Sequence, residues 1–253
     1  MSISSPRYEV NPYHASVAKR GVDIALATAS APVLLPVAGM AAKVLRKKLD
    51  EGSILFRQER VGGTITKFRT MLHAAPGEAE VAASVWEASN VEDPRVVAPK
   101  IKNNRIDETP QVALAFCDAL RPGRRSQSVV SLRPLVASHA DDYYDIVKGD
   151  DPQMAEFWRY ELLPNVQHGA ISMASVVHSR RTSNDGTHMA QFHELSQDPS
   201  EELQQRLFAT SWVQYDVKYN ADASVTTDLM LAAKAAYEVG NIVIAGAIKP
   251  QQA

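Results

Sequence analysis

Residues 24–42 read IALATASAPVLLPVAGMAA, a run of 19 positions without a charge. This stretch decides how the chain is organised. As a helix rising ~1.5 Å per residue it would be about 28 Å long, close to the roughly 30 Å of a bilayer's hydrocarbon core. It is rich in alanine rather than leucine, and Pro32 and Pro36 lie near its middle. Each proline removes a backbone donor and disfavours a straight helix. Lys19 and Arg20 precede the run; Lys43, Arg46, Lys47 and Lys48 follow it. A spanning helix carries its positive bias on one side. Positive charge on both sides fits a segment that enters and leaves by the same face. The expectation is a re-entrant helix–break–helix hairpin turning at Pro36. A buried core helix and a spanning helix are the competing readings. A secretory signal is opposed by the basic cluster after the run.

Outward from this segment, charge is uneven. Residues 1–72 hold 11 Lys/Arg against 5 Asp/Glu, and the remainder holds 16 against 24. A basic N-terminal third on an acidic body suits one end meeting an anionic surface. The chain has 253 residues and 45% hydrophobic residues, enough for a domain with a true core. Its one cysteine, Cys117, excludes an internal disulfide and any Cys-rich zinc site. The basic third lacks the interleaved aromatics and motifs of a nucleic-acid binder, so nucleic acid is not an expected partner.

The body reads as α-rich α+β. Residues 53–63 begin strand-like and end in Gly62-Gly63, and Ile65 to Met71 supplies the return strand of a hairpin. Helical patterns cover 77–90, 107–120, 152–162, 199–210 and 227–239. The organisation expected is a lead-in over 1–18, the membrane anchor over 19–48, a small cytoplasmic globular domain of β-hairpin and amphipathic helices over 49–240, and a tail over 241–253.

No phosphate loop, dinucleotide fingerprint, nucleophile elbow or zinc-protease motif is present. His178, His188 and His193 have spacings that fit no common metal site. Asp107-Glu108-Thr109-Pro110-Gln111 places two adjacent carboxylates at the start of a helix, where they commonly serve as caps. The order of blocks gives this pair another meaning. Phe56-Arg57-Gln58-Glu59-Arg60-Val61-Gly62 and Lys67-Phe68-Arg69-Thr70-Met71 follow the apolar segment. Asp93-Pro94-Arg95, the Asp-Glu block and Leu132-Arg133-Pro134-Leu135 come next, then Tyr215-Asp216-Val217-Lys218-Tyr219 and Asp228-Leu229. From about Lys19 to Ala236 this series resembles the bacterial sugar transferases, the monotopic phosphoglycosyl transferases.

The resemblance implies transfer of a sugar-1-phosphate from a nucleotide diphosphosugar to polyprenyl phosphate on the cytoplasmic face of the inner membrane, initiating glycan assembly. It implies Asp107 as the nucleophile and Glu108 as its partner, the two holding Mg²⁺. Lys67, Arg69, Lys102 and Arg133 stand where cations would meet the phosphates, and Pro36 is the hairpin-breaking proline. Homo-oligomers are compatible with this reading. The counterpart of the donor-side block is Pro164-Asn165-Val166-Gln167-His168-Gly169-Ala170, with Arg180-Arg181 after it, and here the sequence departs from the family pattern. That departure motivates a second reading, a membrane scaffold that keeps the fold and binds lipid phosphate or a pathway partner without catalysis.

Overall fold

The computed structural model describes residues 8–49, 53–69, 106–120, 127–133, 135–174, 176 and 201–248; for 107, 201–205 and 238–248 it describes the backbone alone. Asn11 caps a short 3-10 turn (Pro12–Ala15), its side chain accepting from the Tyr13 N–H at 2.9 Å. Helix α1 (Val17–Lys48) follows directly. Ser16 caps it by accepting from the Lys19 N–H, which satisfies one of the donors a helix start leaves open. Arg46, Lys47 and Lys48 sit in its last turn, where cations suit the negative end of the helix dipole.

Helix α1 is continuous, with Pro32 and Pro36 inside it. The two separate arms expected around Pro36 are not shown. Burial divides the helix instead. Val22 and Ala27 are buried near one end, Ala41 and Leu45 near the other. Between them Val33, Leu35 and Met40 are 66%, 64% and 62% exposed. Only 11% of the helix's most apolar window is buried. A core helix of a soluble domain would be largely covered, so this midsection is apolar surface left bare among the described residues.

A β-hairpin comes next. β1 (Leu55–Arg60) pairs antiparallel with β2 (Gly63–Phe68), from Leu55 opposite Phe68 to Arg60 opposite Gly63. Gly62 has φ 85°, a turn conformation that favours glycine. A Cβ there would also lie 2.7 Å from the Leu163 carbonyl oxygen, so the hairpin tip is seated tightly on the body. Phe68 joins Ala41, Leu45 and Leu49 in a small cluster that ties the hairpin to the end of α1.

A 3-10 turn (Ile106–Glu108) leads into α2 (Thr109–Leu120), which buries Gln111, Ala115 and Ala119 at helical spacing. β3 (Gln127–Val130) is buried along its whole length and pairs in parallel with β4 (His168–Ile171). Gly169 allows this closeness, because a Cβ there would meet the Ser131 backbone nitrogen at 2.3 Å. Helices α3 (Ala137–Lys148), α4 (Pro152–Glu156) and α5 (Leu163–Asn165) lie between these strands, with a π-helical turn (Phe157–Leu162) joining the last two. α6 (Glu201–Asp222) and α7 (Val225–Ile248) complete the order. The core joins Val130, Leu132, Trp158, Leu162, Leu163 and Tyr219.

The α-rich α+β reading and the hairpin are thus present. The helical pattern over 77–90 falls outside the described residues. Lys19 differs from expectation in its surroundings. It belongs to the basic flank that precedes the apolar run, yet its side chain is fully buried. Its Nζ donates to Asp228 Oδ2 at 2.7 Å, Asp23 Oδ1 at 3.2 Å and the Val130 carbonyl. Asp23 also accepts from the Ser128 hydroxyl at 2.8 Å and the Val129 N–H at 2.9 Å, and Asp228 accepts from the Tyr13 and Tyr219 hydroxyls. A charge taken out of water survives only when paired and hydrogen-bonded, and this hub meets that condition while riveting α1 to β3 and α7. Arg20 donates to the Ala119 carbonyl and also turns inward. The exposed cations of α1 are Lys43, Arg46, Lys47 and Lys48, all at one end.

Candidate active site

Strand alternation orients the hairpin's charges. Ile65 is fully buried, so Lys67, two residues on, points to the same inward face. There Lys67 Nζ donates to Glu108 Oε1 at 3.0 Å. Arg133, just past β3, brings Nη2 to 3.6 Å from the same oxygen. Residues 67, 108 and 133 come from a strand, a 3-10 turn and a loop, and the fold makes them neighbours. Their side chains keep 19%, 14% and 31% of their exposure, so the cluster is a cleft open to solvent rather than a sealed pair.

Arg60 belongs to the same surroundings. Burial pulls its guanidinium down to about 10, and the charge of Arg133 pulls the same way, while Glu108 opposes. Three cations, Lys67, Arg60 and Arg133, therefore share one neighbourhood with Glu108. Like charges this close are held at a cost that a bound anion relieves. Arg60 was not singled out from the sequence, although it shares the inward parity of β1 opposite β2. Arg133 also lies over the ring of Trp212, 5.6 Å from its centroid. No sequence motif pointed to Trp212, because it comes from α6, almost 80 positions away.

The remaining residues singled out from the sequence fall as follows. Asp107 has its backbone in the 3-10 turn beside Glu108; its side chain lies outside the described part of the structure. Arg69 ends the hairpin, its N–H donating to the Ile54 carbonyl at 2.9 Å. Lys102 and Arg180-Arg181 lie outside the described residues. Pro36 sits in the exposed midsection of α1. The segment Pro164–Ala170, read as a donor-side block, supplies the buried strand residues His168 and Gly169; these two build the core sheet.

Among the described residues no group of three or more His, Cys, Asp or Glu side chains could hold a metal. Mg²⁺ does not need one. It takes one or two protein carboxylates and fills its octahedron with substrate phosphates and water. The adjacent Asp107 and Glu108, with Glu108 beside Lys67 and Arg133, fit that pattern by residue type.

The family model for bacterial sugar transferases matches residues 14–241. Among curated proteins, none matches the chain. The match covers most of the chain, including α1, the hairpin, the Asp-Glu turn and α6. The chain belongs to the bacterial sugar transferase family.

Proposed function

We propose that this bacterial sugar transferase moves a sugar-1-phosphate from a nucleotide diphosphosugar to polyprenyl phosphate by way of Asp107. The convergence of Lys67, Glu108 and Arg133 carries the proposal. It gathers cations around Glu108, the sequence neighbour of Asp107, which the sequence pattern marks as nucleophile. In the first step a carboxylate oxygen of Asp107 attacks the sugar-bearing phosphorus. The bond from that phosphorus to the bridging oxygen breaks, and the nucleoside monophosphate leaves with the electron pair. In the second step a phosphate oxygen of the polyprenyl carrier attacks the same phosphorus and the carboxylate departs unchanged. Both steps bring an anion against an anion. Lys67, Arg60 and Arg133 lower that barrier by holding the phosphates in fixed positions. Bound Mg²⁺, held by Asp107 and Glu108, would supply further neutralisation of the phosphate oxygens. Lys102 and Arg69 are proposed as further phosphate contacts.

The setting follows from α1. Its covered ends and bare apolar midsection support a helix whose middle enters the bilayer while both ends stay with the same body. Pro32 and Pro36 lie where such a helix would bend. The four exposed cations at its C-terminal end suit the anionic cytoplasmic leaflet. On this reading a soluble nucleotide sugar and a lipid phosphate would both reach the cleft, and the product would initiate glycan assembly. Full-length protein in detergent or lipid, given Mg²⁺, polyprenyl phosphate and a panel of nucleotide sugars, should release nucleoside monophosphate. Asp107→Asn should abolish that release; full activity in the variant would remove Asp107 from the mechanism. If the wild type turned over no donor while still binding polyprenyl phosphate, the scaffold reading would replace the enzymatic one.

A further inference from the structure

We infer that Trp212 is a positioning residue for Arg133, holding its guanidinium plane so that its N–H edge is presented to the substrate's phosphates. The inference rests on the phosphate site proposed above. Besides the charge of Arg60 and the Tyr143 ring nearby, Arg133 has two neighbours that could orient it. One is Glu108 Oε1 at 3.6 Å, outside hydrogen-bond range. The other is the face of Trp212 at 5.6 Å. A carboxylate at 3.6 Å attracts the charge without fixing the plane. An aromatic face fixes the plane and uses none of the five in-plane N–H donors. Those donors stay available for a phosphate, which is what a bidentate contact requires.

Trp212 is itself held rigidly. It is 5% exposed and packs against Phe208 at 5.4 Å and Tyr143 at 6.5 Å between ring centroids. Tyr143 in turn stacks on Trp158, whose Nε1 donates to Asp216 at 3.0 Å. The ring beneath Arg133 is thus part of an aromatic block spanning α3, the π-helical turn and α6. A side chain on a mobile loop would offer no such reference plane.

The test compares Trp212→Phe, which keeps an aromatic face, with Trp212→Leu, which loses it and removes more volume, so the unfolding midpoint is read alongside binding. Inorganic pyrophosphate, with Mg²⁺ present, is the binding probe for calorimetry on the full chain in detergent, and nucleoside monophosphate release is the second readout. W212F should bind pyrophosphate within about threefold of wild type. W212L should bind about tenfold more weakly, a size between those of exposed and desolvated cation–π pairs, with an unfolding midpoint close to that of W212F. Equal losses in both variants would overturn the inference, since packing alone would then explain them. Arg133→Lys keeps Trp212 intact and guards against a W212L that fails to fold. Lysine keeps the charge but not the plane, so its pyrophosphate affinity should fall about as far, and W212F should have no further effect in that background. Wild-type affinity in R133K would overturn the inference. If wild type neither binds pyrophosphate nor releases nucleotide, the phosphate site falls and the positioning role with it; binding by wild type and W212L alike would remove the positioning role alone.

Discussion

Two lysine–carboxylate groups in this protein look alike in sequence and differ in kind. Lys19 with Asp23 and Asp228 is dry, one cation against two carboxylates, and hydroxyls and a backbone N–H satisfy the excess negative charge. Lys67 with Glu108 is half-open, and Arg60 and Arg133 crowd it with positive charge. The first group is complete without a ligand. Among the described residues the second sets three cations around one carboxylate. Saturation, rather than residue type, separates a structural charge cluster from a functional one.

The sharpest way to break this contrast is Lys19→Met. It leaves Asp23 and Asp228 buried without their cation, and removing one partner of a buried pair costs about 3–5 kcal/mol. We expect a large fall in the unfolding midpoint and poor recovery of folded protein. A variant as stable as wild type would show that the hub is not what holds α1 to the body. Glu108→Gln probes the other cluster. Glu108 keeps some solvent contact, unlike Asp23 and Asp228, so the midpoint should fall less than in Lys19→Met, while nucleotide release drops by roughly two orders of magnitude. Loss of stability with activity retained would reverse the roles of the two groups.

Asp216 sharpens the contrast with a third case, a buried carboxylate that no cation pairs with among the described residues. Burial pushes it up to about 7, against the hydrogen bond from Trp158. The folded chain then holds a proton that the unfolded chain releases, so this contribution weakens as pH rises from about 4 to about 7. His14 and His168 act oppositely. Burial pulls each down to about 4, so the unfolded chain binds protons that the folded chain does not, and stability rises with pH between about 4 and 6.5. Two histidines against one aspartate leave a net rise of stability with pH from these three groups. Asp216→Asn keeps an acceptor for Trp158 and removes the opposing slope. Denaturant midpoints from pH 4.5 to 6 should then rise about twice as steeply. An unchanged slope would mean that Asp216 is ionised in the folded chain.

Much of the architecture was legible in the residues. The charge-free run at 24–42 announced an apolar helical segment, though not its unbroken course through Pro36, and Gly62-Gly63 announced the hairpin turn. The strands β3 and β4 were not legible. Each is four residues long, and a short buried run carries no periodicity to tell strand from helix. The described lead-in residues also gave no local sign of their role. Tyr8 stacks on Phe157, and the Asn11 N–H donates to the Asn220 side chain. Within the site, Lys67, Glu108 and Arg133 could be named because each sits in a recognisable block. Arg60 and Trp212 could not, because what marks them is proximity to Arg133.

The sequence by itself determined that an apolar helix with a basic C-terminal end precedes an α-rich body bearing an Asp-Glu pair. Those are properties of neighbours along the chain: charge spacing, turn residues and caps. Only the tertiary structure decided which charges are spent inside the protein and which face the cleft. Lys19 and Lys67 each carry one positive charge, and burial and the number of partners set their tasks. Both depend on residues over 40 positions away, brought close by packing that no local pattern encodes.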